Sequence, residues 1–182
     1  DFVVGASAVP ELNASLINGA PISIPASGTV GPAAPYPSVI NVTNLPGVVT
    51  RATVTVSNLA HAFPGDVDLL LVSPDGTRVV LMAAAGDAAI AGVTLTFDDA
   101  SLNLPPPSGQ IPSGTYHPSR YFLEDLPGAP PQPYSTNLAS FNGANPNGAW
   151  SLFIYDFESG DSGMIANGWS LNLTTTPTPV WD

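Results

Sequence analysis

Residues 61–82, HAFPGDVDLLLVSPDGTRVVLM, constrain the fold of this chain more than any other stretch. Side chains alternate across an extended backbone, so Asp66, Asp68, Leu70 and Val72 share one face and Val67, Leu69, Leu71 and Ser73 the other. Both faces are largely apolar. A strand of that kind must be covered on both sides, which predicts a central strand rather than an edge. Pro74-Asp75-Gly76 then reads as a tight turn, because proline presets φ for a type I turn and glycine accepts the left-handed conformation of a bulge. Residues 77–82 should return antiparallel. Asp66 and Asp68 are the exception to the apolar pattern. Two carboxylates two residues apart on a strand point the same way and repel unless they remain in water or share a cation.

The rest of the chain supports an all-β reading. Residues 39–43, 49–57 (VTRATVTVS), 92–97 (GVTLTF), 150–156 (WSLFIYD) and 169–173 (WSLNL) are further strands, and no helix of ordinary length is legible. Residues 1–38 carry Pro10, Pro21, Pro25, Pro32, Pro35 and Pro37, which exclude helix and central strand alike. They read as an extended arm with short extended pieces at 2–4 and 21–25. The predicted organisation is arm 1–38, sandwich 39–175 and tail 176–182. Residues 100–148 carry ten prolines and almost no periodicity. An irregular stretch of that length needs its own aromatics or a ligand to order it; Tyr116, Tyr121, Phe122, Tyr134 and Phe141 are the residues for that role.

Charge narrows the function classes. With 3 basic residues against 14 acidic ones, the formal charge is −11, and nucleic acid is excluded as a partner. No apolar run is long enough for a membrane helix, so membrane insertion is not expected. The chain has no cysteine. Its composition, low in charge and rich in Pro, Gly, Ser, Thr and Asn, is common in extracellular and cell-surface β proteins. A start at Asp1 is expected of a processed product or an excised piece.

At this point the motifs resemble a family. His61, Gly65-Asp66, Leu70 and Ser73-Pro74-Asp75-Gly76-Thr77 are followed by Asn147-Gly148-Ala149-Trp150-Ser151-Leu152 and Asp156. Gly160-Asp161, Gly163 and Gly168-Trp169-Ser170-Leu171 then complete a succession that resembles the P domain, also called P/Homo B, of kexin- and furin-like subtilisin proteases. Phe97-Asp98-Asp99-Ala100, Gly114-Thr115-Tyr116-His117-Pro118 and Phe141-Asn142-Gly143 are similar to its bacterial secreted branch. The resemblance covers roughly residues 39–175 and implies a jelly-roll β-sandwich without catalytic residues. The arm falls outside the family pattern, and no protease domain stands in front of it in this sequence.

Calcium is the sharpest chemical expectation. Asp66, Asp68, Asp98 and Asp99 lie at the ends of two predicted strands, and hard oxygen ligands suit Ca²⁺. A shared structural ion would relieve the repulsion of the paired carboxylates; the competing reading is that they cap turns. Asp156, Glu158 and Asp161 form a second acidic loop, of which Asp156 and Asp161 are the weaker metal candidates. Gly160-Asp161-Ser162-Gly163 resembles the nucleophile segment of chymotrypsin-like proteases, but Met164 stands in place of a glycine and neither His61 nor His117 has that family's context, so the loop reads as a polar turn.

Three roles then compete for the chain. The leading expectation is a structural subunit of a filament-like extracellular assembly with protein partners, copies of itself among them. Phe2, Val3, Val4, Val180 and Trp181 would be its docking groups. The alternatives are an accessory domain of a subtilisin-like protease and a binding module for a surface protein or glycan.

Overall fold

The structure is a computed structural model that describes residues 10–122 and 124–177. Thirteen strands are found among them. These are β1 (Leu12–Asn18), β2 (Ile22–Ile24), β3 (Gly31–Pro32), β4 (Ser38–Val42), β5 (Val48–His61), β6 (Val67–Val72), β7 (Arg78–Ala83), β8 (Ile90–Phe97), β9 (Gly114–Tyr116), β10 (Ser119–Arg120), β11 (Gly148–Asp156), β12 (Gly163–Ile165) and β13 (Trp169–Thr176). Short 3₁₀ turns occupy Pro64–Asp66 and Leu138–Phe141.

The strands make two facing sheets. In the first, the long β5 pairs antiparallel with β8 on one side (Val54 opposite Phe97) and with β13 on the other (Val54 opposite Leu171). β1 covers the far edge of β13, and β12 followed by β2 continues the sheet beside the end of β5. In the second sheet β6 lies between β7 and β11, as its two apolar faces required. The predicted turn is present: the Gly76 N–H donates to the Ser73 carbonyl at 2.9 Å, and Gly76 has φ 86. Two short pairings, β8 with β9 and β7 with β10, are parallel, so the otherwise antiparallel sandwich carries two parallel edges.

The arm is extended, and from Leu12 onward it belongs to the sandwich. β1 and β2 pair in the first sheet and β3 pairs with β11 in the second. Its prolines sit where strands are short or at edges, where a missing N–H costs no ladder bond. β1 and β2 are thereby the terminal strands on the main path of the first sheet. Phe2, Val3, Val4, Val180 and Trp181 lie outside the described residues.

Between the sheets Trp150, Trp169, Phe97 and Phe141 are fully buried together with Val54, Val56, Leu69, Leu71 and Leu171. A second cluster covers the outer face of β6. Leu70, Val72, Val80 and Phe153 pack there under Leu126 and Tyr134 from the proline-rich stretch, with Tyr36 from the arm. Three of the five aromatics expected to order residues 100–148 are buried (Tyr116, Tyr134 and Phe141), whereas Tyr121 and Phe122 are exposed.

A recurring bond holds that stretch. Carbonyls in proline-rich backbone have few N–H partners nearby, so side chains supply the donors. Tyr116 donates to Pro112, Tyr121 to Pro105, Tyr134 to Pro130, Tyr36 to Pro127 and the Trp150 indole to Pro146, at 2.6–2.9 Å. Tyr134→Phe keeps the packing and deletes one such bond. It should lower stability by about 1 kcal/mol in urea denaturation without changing the slope of the transition.

Candidate functional site

One end of the sandwich concentrates carboxylates, and the pairing of the strands puts them there. β6 runs against β11 with Val67 opposite Asp156, and β12 runs against β5 with Gly163 opposite His61. The end of β5, the 3₁₀ turn at Asp66, the end of β11 and the loop leading to β12 therefore converge. Gly163 permits the approach, because a Cβ there would collide with the Ala60 carbonyl and the His61 ring.

At the centre His61 Nε2 lies 3.1 Å from Asp156 Oδ2, and neither side chain is exposed. The pair ties the first sheet to the second. His61 Nδ1 sits 3.0 Å from the Phe63 carbonyl and 3.2 Å from its N–H, so either protonation state of that nitrogen finds a partner. Asp161 Oδ1 lies 3.5 Å from the same nitrogen and has no hydrogen-bond partner among the described residues. Asp156 Oδ1 accepts from the Glu158 N–H at 3.3 Å.

Burial dominates the electrostatics of this end. Asp66 is pushed up to about 6, first by burial and then by Asp161, Asp156 and Glu158 around it. Asp68 is pushed up to about 7, chiefly by burial, with Glu124 adding to the effect and the Ala84 N–H opposing it. Asp156 is also raised by burial, against the pull of His61.

The four carboxylates first expected to share an ion are not brought together. Asp66 and Asp68 lie at this end, whereas Asp98 pairs with Arg51, and the Asp99 carboxylate accepts from the Leu138 and Ala139 N–H groups at 2.9 and 2.7 Å. Arg51 and His61 mark opposite ends of β5, about 30 Å apart at the rise of a strand. The strand β8, which carries Asp98 and Asp99 at its end, runs antiparallel to β5 and so delivers them to the wrong end. Asp98 also caps its turn through the Ala100 N–H, the role that the competing reading gave it.

The weaker pair, Asp156 and Asp161, does converge, with His61 as the third member; their potential ligand atoms lie within 4.8 Å of one another. The donor set does not suit calcium. Asp66 and Glu158 fall outside that group, both Asp156 oxygens and both His61 nitrogens already have partners, and Ca²⁺ requires six to eight oxygens. Thermal unfolding in EDTA and in millimolar calcium should therefore give the same midpoint. An upward shift in calcium would show that the loop reorganises around an ion.

Sequence reasoning missed His61 as a member of this site, although a signal existed. His61 follows Leu59 by two on the inward face of β5 and is 2% exposed. Its burial removes the protease-like reading of Gly160-Asp161-Ser162-Gly163. Ser162 is exposed, and the imidazole that would have to activate it is enclosed and bonded to Asp156 and Phe63.

The sequence profile of the proprotein convertase P-domain matches residues 49–173. The chain belongs to the P-domain family. That match runs from β5 into β13, so β1 to β4 lie outside it. No curated protein matches the chain. Two crystal structures of the serine protease of Aeromonas sobria resemble this P domain, one of them a complex with the protease's chaperone. The complex is 17% identical over 93% of the chain with a TM-score of 0.45, and the protease alone is 16% identical over 91% with a TM-score of 0.43. The chain spans 27% and 26% of those two proteins. No helix among the described residues is long and apolar enough to cross a membrane.

Proposed function

We propose that this P domain is a non-catalytic accessory module of a secreted subtilisin-like serine protease, acting outside the cell by stabilising or targeting its catalytic domain. The observation that carries this reading is the family match over residues 49–173, which spans the central strands of both sheets. The chemistry of the carboxylate-rich end is consistent with it, since the buried His61–Asp156 pair is built to hold the sheets together and not to turn over a substrate.

The experiment is to read the coding region upstream of Asp1 and, where catalytic Asp, His and Ser motifs share the reading frame, to express the protein with and without residues 10–177. Loss of the domain should shorten the lifetime of protease activity at elevated temperature while leaving initial activity on a small peptide substrate largely intact. A reading frame without protease motifs, or an unaltered lifetime, would overturn the proposal.

A further inference from the structure

Beside the His61–Asp156 pair lies a cavity of about 180 Å³ with an unusual lining. Asp66, Asp68, Glu124 and Glu158 contribute four carboxylates, and Phe122 and Phe157 contribute two aromatic rings. Asp68 is the informative member. It sits on the outward face of β6, in line with the buried Leu70 and Val72, and is 4% exposed. The Ala84 N–H faces it and favours its charged form, and the ion pairs formed among the described residues all involve other carboxylates. A buried carboxylate facing a cavity without a counter-ion is an expensive arrangement for a domain on its own.

We propose that this cavity receives an arginine side chain presented by a partner protein. The lining selects a cation, and it favours an organic one over a metal. Calcium would use the carboxylates but would gain nothing from rings that keep its water away. A guanidinium can bond two carboxylates through its planar fork while its face lies against a phenyl ring. Phe122, 66% exposed, stands where an entering side chain would cover it. The proposal places that cation on a partner, because no ion pair among the described residues supplies one. The chain has three arginines, of which Arg51 pairs with Asp98, Arg78 donates to the Pro131 carbonyl, and Arg120 is exposed and pairs with none of the cavity's carboxylates. A net charge of −11 would further draw a basic surface toward this end. The inference does not depend on the partner being a protease, so it stands or falls separately from the accessory-domain reading.

The test is a titration of the domain at pH 8 with N-acetyl-arginine methylamide, followed by the backbone amide resonances of Gly65, Ala84 and Phe122. The neutral citrulline counterpart and calcium chloride are the parallel arms. Saturable shifts with the arginine compound, at least about tenfold weaker with citrulline and about tenfold weaker in Asp68→Asn, support the proposal. Glu158→Gln, on the rim, should weaken binding in the same direction. Equal responses to arginine and citrulline, no response to arginine, an unaltered affinity in Asp68→Asn, or calcium occupying the site and excluding arginine would each overturn it.

Discussion

Replacing Asp68 by asparagine should make the domain more stable at pH 8 and slightly less stable at pH 4. The carboxyl of Asp68 is raised from 3.8 to about 7 by burial, so the folded chain holds its proton more tightly than the unfolded chain does. The sign follows directly. Stability is fully present below pH 4, falls as pH rises toward 7, and is flat above that, because over this window the folded state retains a proton that the unfolded state has released. The distance between the two values corresponds to about 4 kcal/mol. Asparagine keeps an acceptor for the Ala84 N–H and never ionises, but its amide must still leave water, so the expected gain is on the order of 3 kcal/mol. For a chain of this length that is roughly 10 °C in unfolding temperature. Asp66, raised to about 6, acts in the same direction, while Asp75, lowered first by its bond from Ser73, acts in the opposite one. The measurement is a pair of unfolding curves from pH 4 to 8. Parallel curves for the two proteins would mean that Asp68 is not the group that titrates.

That carboxylate also shows what was legible in the sequence. The apolar run of β6 announced a strand covered on both sides, and Asp66 and Asp68 stood out within it as groups needing an explanation. Both line one cavity, as their spacing suggested, although Asp66 reaches it from a 3₁₀ turn and not from the strand. The partners were harder to read. Pairing Asp66 and Asp68 with Asp98 and Asp99 required knowing which end of β8 meets which end of β5, and periodicity gives a strand's faces without its direction. Glu124 and Phe122 come from a stretch with no period at all, whose shape depends on tyrosine bonds to particular carbonyls. β1 escaped notice for a different reason. Its residues Leu12–Asn18 alternate only weakly, and it is held by pairing with β13, a contact between positions 18 and 169 that no local pattern encodes.

Truncating His61 should be the most damaging single change at the site. Asp156 is wholly enclosed, and the imidazole is the cationic or donor group beside its Oδ2. His61→Ala leaves that carboxylate buried with only the Glu158 N–H as a partner and opens a void between the sheets. Breaking a buried pair from one side costs about 3–5 kcal/mol, since the charge left behind can neither reach water nor find a substitute. The loss should be largest near neutral pH and shrink on acidification. Burial already raises Asp156, and removal of His61 removes the influence that opposed it, so the folded variant regains stability by taking up a proton as pH falls. Because cavity formation alone could produce part of the effect, the deciding measurement is a double-mutant cycle with His61→Ala, Asp156→Ala and the two combined. A double variant more stable than the sum of the two single losses predicts identifies the pair as one unit bridging β5 and β11. Simple additivity would show that His61 and Asp156 stabilise the sandwich independently, through packing alone.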